Sequence, residues 1–177
     1  QQLNSITRAT TAALNARLIP LLRDLINAVQ ATLSRLGVRA PLMVVKGDGS
    51  LMAAEVALAR PVETILSGPA ASAVGGHYLA RQDDIIVVDM GGTTTDIAIL
   101  NGGRPRLNPD GARVGRWQTM VEAVDVRTVA LGGDSHVRYD REGFFQIGPR
   151  RVISLSRLAS EREGVLEVLE RQWAGKH

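Results

Sequence analysis

The residues best suited to chemistry lie between two apolar segments, in the sequence Asp89-Met-Gly-Gly-Thr-Thr-Thr-Asp96. The adjacent glycines Gly91 and Gly92 permit a tight turn, and without Cβ atoms they leave successive backbone N–H groups accessible to an anion. Hydroxyl groups that add further hydrogen-bond donors follow on Thr93, Thr94 and Thr95. The segment therefore predicts a binding site for phosphate groups.

Two carboxylates bracket this turn. Asp89 ends the preceding apolar segment, where it is placed to hold a magnesium ion through the waters of that ion. Asp96 opens the next segment, and we expect both aspartates to be catalytic. Because the turn contains no lysine and leads into a strand rather than a helix, it is neither a Walker loop nor a Rossmann motif. An ordinary hairpin with a Gly-Gly turn is the alternative interpretation.

Strands are expected on both sides of the turn. The run Asp84-Ile-Ile-Val-Val-Asp89 is typical of a strand buried on both faces. We expect Ile85 to Asp89 and Asp96 to Leu100 to pair as antiparallel neighbours, with helices covering the faces of the sheet. Another strand is expected over 124–131, immediately before Gly132-Gly133.

The remaining elements follow from apolar periodicity and from turn residues. Apolar residues recur at three- and four-residue steps from Ser5 to Leu36, which predicts a helix, and Pro20 is expected to kink or divide it. Further predictions are a strand at 42–45, short and small-residue helices at 51–59 and 67–76, a hairpin of 136–139 with 144–147, and a helix at 154–172.

Composition excludes several classes of protein. Of the 177 residues 45% are hydrophobic and 22% charged, which is typical of a compact globular unit. The net charge is only +3, and the basic residues Arg141, Arg150 and Arg151 are interpreted as a solvated face, so no nucleic-acid partner is expected. Without cysteine, signal peptide or membrane span, a cytoplasmic location with no membrane partner is expected. The first residue is not Met, so we expect a piece of a longer protein.

The turn and its surroundings resemble a known superfamily. Asp89 to Asp96 is similar to the second phosphate motif of the actin-like ATPases, and the small-residue segment Ser67 to Gly76 is similar to the helix that precedes this motif. Together with Arg8-Ala-Thr-Thr-Ala-Ala-Leu-Asn-Ala16, these motifs most resemble the hydantoinase A and oxoprolinase family, over about Ser5 to Ser135.

The resemblance implies an α/β fold, namely an actin-like (ribonuclease H-like) lobe with a mixed sheet and flanking helices. It divides the chain into 1–66, the end of a preceding lobe, and 67–177, the nucleotide-binding lobe with its phosphate turn at 89–96. Gly132 and Gly133 are expected to face the nucleotide, although Leu131 and Asp134 depart from the family pattern and a plain turn is the alternative.

The implied activity is phosphorylation by ATP, with Mg²⁺, of the carbonyl oxygen of a cyclic amide or a ketone, which then reacts with water or bicarbonate. ATP binds between two glycine turns in the family, and the other turn is absent here, so an upstream lobe of the same protein is an expected partner. A second hydantoinase-type subunit is another. A non-catalytic nucleotide-gated module, an activator ATPase and an accessory kinase remain alternatives, and the substrate stays open.

Two polar residues outside the turn each keep two interpretations. Lys46 begins a glycine-containing turn and is placed either to reach a phosphate or to lie on the surface. Asn15 lies in the family-like helix, where it faces the substrate or makes a local hydrogen bond.

Overall fold

The computed structural model describes residues 4–175 of the chain. Within these residues the helices are α1 (Ser5–Arg35), α2 (Ala54–Ala59), a short 3-10 helix (Pro61–Thr64), α3 (Ser67–Ala80), α4 (Leu155–Glu161) and α5 (Val165–Trp173). No helix in this part of the chain is both long and apolar enough to cross a membrane.

The strands form one larger sheet and three antiparallel pairs within the described residues. They are β1 (Met43–Val45), β2 (Leu51–Ala53), β3 (Ile85–Met90), β4 (Thr95–Asn101), β5 (Arg104–Pro105), β6 (Arg113–Val114), β7 (Trp117–Gln118), β8 (Val126–Val129), β9 (Ser135–Tyr139) and β10 (Phe145–Arg151). The larger sheet has the order β3-β4-β5, and β8 also pairs with β4. The predicted mixture of helices and sheet is confirmed.

The predicted pairing about the glycine turn is also confirmed. Strands β3 and β4 are neighbours in the sheet. Only four residues connect them, and so short a connection joins antiparallel strands, since a parallel pair needs a crossover of a dozen residues or more.

The chain groups into two compact units. The first extends to Val87 and resumes with Ile97–Arg127, and the second comprises Val88–Asp96 and the residues from Thr128 onward. The division between residues 66 and 67 that the family resemblance implies stays a prediction.

The core of the first unit next to the sheet is built from small side chains. Ala70 and Ala73 of α3 are fully buried with Ala98 and Leu100 of β4. Helix and strand approach so closely that a Cβ on Gly76 would lie 2.7 Å from Val87 Cγ2. The small residues of this helix therefore serve close packing, as their composition predicts.

Helix α1 is continuous through Pro20, so of the two expected effects the division into two helices is wrong and a kink stays a prediction. A proline inside a helix costs about 3 kcal/mol because one hydrogen bond is lost and the ring crowds the preceding turn. Packing on both sides offsets this cost. Leu14 packs on a cluster around Val62, and Ile26 is buried among Met52, Ala54 and Ala57.

Three other predicted elements differ in detail. Residues 51–53 of the predicted short helix form β2, which pairs with β1, and only Ala54–Ala59 is helical. The predicted final helix is divided into α4 and α5 at Gly164, whose φ of +81° a continuous helix excludes. Strand β3 is not buried on both faces, because Ile86, Val88 and Met90 are 66%, 59% and 57% exposed.

The second unit contains the predicted hairpin. In the β9–β10 pair Phe145 stands opposite Tyr139, with ring centroids 4.2 Å apart. The Asp140 carboxylate closes the turn by accepting hydrogen bonds from the N–H groups of Glu142 and Phe144, at 3.0 and 2.9 Å. The hairpin is therefore stabilised locally, which is why turn residues alone predict it.

Candidate functional site

The glycine turn is a tight connection between β3 and β4. The Gly91 N–H donates to the Thr94 carbonyl at 2.9 Å and closes the turn. Within residues 4–175, the N–H groups of Gly92 and Thr93 at its tip donate to no protein acceptor. Both residues are solvent-exposed, and successive backbone N–H groups of this kind suit an anion, although a Cβ on Gly132 would lie 2.6 Å from the Thr93 nitrogen.

A second glycine segment packs directly on this turn. Gly133 and Asp134 donate their N–H groups to the carbonyls of Gly91 and Gly92, at 3.0 and 2.8 Å. Gly132 is buried, and a Cβ at this position would lie 2.5 Å from the carbonyl carbon and oxygen of Gly92. The structure thus brings together the two glycine pairs that the sequence singled out, across about 40 residues of chain.

The three threonines of the turn lie in different environments. Thr95 is buried, and its hydroxyl donates to the Leu131 carbonyl at 2.6 Å, which ties β4 to the chain just before Gly132. Thr94 is partly buried and Thr93 is exposed. A role in phosphate binding stays a prediction for all three, but the Thr95 proton is already used inside the protein in this structure.

The two aspartates flank the turn as expected from their positions in the sequence. Asp89 lies on the exposed end of β3, and Asp96 accepts a hydrogen bond at 2.6 Å from the hydroxyl of Thr128. Across the described residues, no three His, Cys, Asp or Glu side chains cluster in a way that could hold a metal ion. A magnesium ion held by Asp89 through water stays a prediction, and it requires only one carboxylate because magnesium keeps several waters and binds the phosphates of its ligand.

An ion pair beside the turn was not predicted. The Arg151 guanidinium Nη2 donates to Oδ2 of Asp134 at 2.5 Å. That carboxylate oxygen lies 3.1 Å from where a Cβ of Gly92 would be. The sequence predicted that Arg151 lies on a solvated face. The one hint of the ion pair in the sequence is Asp134, a charged residue where the family pattern has a small one.

A cavity of about 480 Å³ adjoins this ion pair. Its lining residues are Asp134, Arg151, Val152, Ile153, Ser154 and Arg157. Arg157 is itself paired with Glu161, four residues later on α4, at 2.7 Å. Both cavity arginines therefore have a carboxylate partner within the second unit.

Lys46 lies in the first unit and is surrounded by acids. Its Nζ is 3.1 Å from Asp48 Oδ2 and 3.3 Å from Glu63 Oε2. The hydrogen bond to Asp48 raises the pKa of Lys46 against the opposing effect of burial. Burial by itself would raise the pKa of Asp48, but hydrogen bonds from Ser50 and Lys46 lower it overall. The charge of Lys46 is balanced by Asp48 and Glu63, which speaks against the interpretation that this lysine reaches a phosphate.

Asn15 makes hydrogen bonds between elements rather than local ones. Its amide nitrogen donates to the Ala59 carbonyl at 3.3 Å, and its amide oxygen accepts the Val62 N–H at 3.1 Å. The side chain thus joins α1 to the segment after α2. Neither the substrate-facing nor the locally bonded interpretation describes this contact.

Comparison with known proteins gives concordant matches. The family model described as Hydantoinase/oxoprolinase matches residues 8–168. The alpha subunit of caprolactamase from Pseudomonas jessenii is 34% identical over 152 residues, which are 84% of this chain and 22% of that subunit. A 5-oxoprolinase from Dictyostelium discoideum is 29% identical over 167 residues, which are 85% of this chain and 13% of the enzyme.

Two carboxylases also match. The acetophenone carboxylase gamma subunit of Aromatoleum aromaticum is 26% identical over 152 residues, or 84% of this chain and 20% of the subunit. The nucleotide-free structure of acetone carboxylase, from work on ATP-dependent acetone carboxylation, has a TM-score of 0.57 at 23% identity, covering 76% of this chain and 18% of that one. The chain spans at most 22% of the length of these relatives.

Proposed function

The chain belongs to the hydantoinase and oxoprolinase family, and from this premise we propose that it forms part of the nucleotide site of an ATP-dependent enzyme that phosphorylates the carbonyl oxygen of a cyclic amide. The product of that step is hydrolysed by water. The alternative activity that we propose is carboxylation of a ketone, because a carboxylase subunit is among the relatives.

One observation carries the proposal. The carbonyls of Gly91 and Gly92 accept backbone hydrogen bonds from Gly133 and Asp134, and within residues 4–175 the N–H groups of Gly92 and Thr93 donate to no protein acceptor. Phosphoryl transfer requires positioning and charge stabilisation more than covalent catalysis by the protein. Backbone N–H groups at an exposed turn would supply that positioning for phosphate oxygens.

The proposed chemistry converts a poor electrophile into a reactive one. The γ-phosphoryl group of ATP would be transferred to the carbonyl oxygen, with ADP leaving, and water would attack the carbonyl carbon. The ring C–N bond then breaks to give an amine and an acyl phosphate, and a second water releases inorganic phosphate and leaves a carboxylate. In the carboxylation reaction the ketone would lose an α-proton as its oxygen is phosphorylated, and the α-carbon of the resulting enol phosphate would form the new C–C bond to the carbon of bicarbonate, with release of inorganic phosphate. The backbone N–H groups of Gly92 and Thr93 would hold the phosphate oxygens during this transfer.

The carboxylates have separate proposed roles. Asp89 would hold magnesium through water, and the bound ion supplies charge neutralisation at the transferring phosphate. Asp96, fixed by the Thr128 hydroxyl, would orient groups on the opposite side of the turn. Among the cyclic-amide enzymes, caprolactamase is 34% identical to this chain, which is our reason for putting a cyclic amide before a ketone.

The matched relatives also support a proposal about partners. Two of them are named as subunits, alpha in caprolactamase and gamma in acetophenone carboxylase. We therefore expect the full-length protein to act with a second type of subunit. Its ATP site would need a second phosphate turn of the Asp-Gly-Gly-Thr type, which residues 1–177 do not contain.

The experiment is a phosphate-release assay on the full-length protein with magnesium and ATP. It is run alone, with the cyclic amides caprolactam and 5-oxoproline, and with acetone or acetophenone plus bicarbonate. Release that depends on a cyclic amide supports the proposal, and release that depends on a ketone with bicarbonate selects the carboxylase. Slow release that no substrate accelerates would instead indicate a nucleotide-gated switch and overturn the enzyme assignment.

A further inference from the structure

We infer that Asp134 and Arg151 form a positioning pair that sets the charge beside the phosphate turn, so that the affinity of the turn for a polyphosphate depends on both residues together. The identity of the anion rests on the proposed function. The pair itself is defined by contacts within the second unit.

The main chain holds Asp134 in place on two sides. Its N–H donates to the Gly92 carbonyl at 2.8 Å, and its own carbonyl accepts the N–H of Val152 at 2.8 Å. The residue is therefore clamped between the glycine turn and the chain that follows β10. Its carboxylate lies over Gly92, 3.1 Å from the position of a Cβ there.

A register shift brings Arg151 to this carboxylate. Strand β10 pairs Ile147 with Val137 and then Arg151 with Ser135, with an irregularity between the two pairs. A regular continuation would place Pro149 opposite Ser135, and proline offers neither a charge nor an N–H donor. The same continuation would place Arg150 opposite Asp134, so the shift decides that Arg151 and not Arg150 pairs with this carboxylate.

The pair affects local charge more than it affects stability. The side chains are 24% exposed for Asp134 and 60% exposed for Arg151, and ion pairs this exposed contribute little to the free energy of unfolding. A bare carboxylate at Gly92 would repel an anion bound to the same backbone donors. The guanidinium cancels that repulsion, and its bond to Asp134 engages only one of its nitrogens.

Arg157 does not replace Arg151 in this role. It lines the same cavity, but its guanidinium pairs with Glu161 and not with Asp134. The two arginines therefore make a matched comparison: each lines the cavity and each pairs with an acid, but only one of those acids touches the phosphate turn.

We predict that the effect of substituting Arg151 on polyphosphate affinity depends on whether Asp134 is present. Arg151→Gln should weaken polyphosphate binding at least tenfold, because the Asp134 charge is then uncompensated. Asp134→Asn should bind as tightly as the wild type or more tightly. In the Asp134→Asn background, adding Arg151→Gln should weaken binding less than threefold. Arg157→Gln should change it less than twofold.

The experiment is isothermal titration of the full-length protein with inorganic triphosphate and magnesium, for the wild type, the two single variants, the double variant and Arg157→Gln. Equal losses from Arg151→Gln in both backgrounds would show direct contact with the anion and overturn the inference. So would an equal loss in Arg157→Gln, or no triphosphate binding by the wild type. If Arg151→Gln fails to fold, weaker binding by Asp134→Asn alone overturns it.

The proposed enzyme activity is tested separately. Phosphate release from ATP with a cyclic amide depends on catalysis, whereas triphosphate titration measures binding only. If the two substitutions are coupled in their effect on triphosphate affinity but no turnover is seen, the inference about the pair stands and the enzyme proposal fails. If their effects on affinity are additive and turnover is seen, the enzyme proposal stands and the inference fails.

Discussion

Gly132 packs against Gly92 so closely that a Cβ on Gly132 would lie 2.5 Å from both the carbonyl carbon and the carbonyl oxygen of Gly92. Real Cβ atoms do not approach backbone atoms to this distance, so any side chain here must push the two glycine segments apart. This contact therefore couples the two parts of the candidate phosphate site, together with the hydrogen bonds from Gly133 and Asp134.

Gly132→Ala should lower the free energy of unfolding by about 1–3 kcal/mol, because overpacking at a rigid backbone contact forces the segments apart. It should also weaken triphosphate binding by displacing the turn. Gly133→Ala is the matched comparison, since the nearest atom to its Cβ would be 4.0 Å away, and it should cost less than about 0.5 kcal/mol. Urea unfolding of the two variants measures the difference, and equal losses would contradict the packing argument.

Asp89→Ala in the full-length enzyme should lower turnover far more than nucleotide affinity, because the proposed role of Asp89 is to position magnesium at the transferring phosphate. Steady-state phosphate release and equilibrium titration with ATP separate the two effects. Asp83→Ala, a carboxylate two residues before β3 that pairs with His77, serves as control and should leave turnover unchanged. Turnover of Asp89→Ala within about twofold of wild type would exclude the metal role.

Asn15→Ala should destabilise the first unit by about 1 kcal/mol, because the N–H of the buried Val62 loses its acceptor, whereas the carbonyl of the exposed Ala59 can bond to water instead. Asn15→Asp keeps an acceptor for Val62 but removes the donor to Ala59, so its loss should be intermediate. Thermal and urea unfolding of both variants provide the measurement. Equal stability of the alanine variant and the wild type would show that the bridge is dispensable.

Asp48 should make stability depend on pH in the acid range. Burial raises the pKa of Asp48, but hydrogen bonds from Ser50 and from Lys46 lower it overall below the ordinary 3.8. A carboxyl whose folded pKa is depressed stabilises the protein above its unfolded pKa, and the stabilisation disappears as the pH falls through the folded value. Asp48→Asn should therefore be less stable than wild type at pH 7, with the difference shrinking below about pH 4. Urea unfolding at a series of pH values checks this, and a constant difference would refute it.

The 177-residue chain alone should bind magnesium-ATP no more tightly than about millimolar, or ~4 kcal/mol, because it contains one glycine turn of the two that the family resemblance implies. Ordering a flexible triphosphate costs nearly as much with one set of donors as with two. Isothermal titration is the measurement. Micromolar binding, or phosphate release, would mean that this chain holds a complete site.

The parts of the site that the sequence predicts are local. The Gly91-Gly92 turn between two strands, the hairpin closed at Asp140 and the small-residue helix α3 each follow from a few consecutive residues. Backbone freedom at glycine, side-chain acceptance of turn N–H groups and close helix packing act over short stretches of chain, so composition and spacing determine them.

Other features depend on residues that are distant in sequence, and only the tertiary structure decided them. Packing on both sides keeps α1 in one piece through Pro20. Ile86 is exposed because it lies on the face of β3 opposite Ile85 and Val87, and only those two pack on the core against α3. The contact of Gly132 with Gly92 and the bond of Arg151 to Asp134 depend on strand pairing and on a register shift in β10. No local pattern encodes a shift of register, because it is set by which side chains and backbone groups fit when distant strands meet.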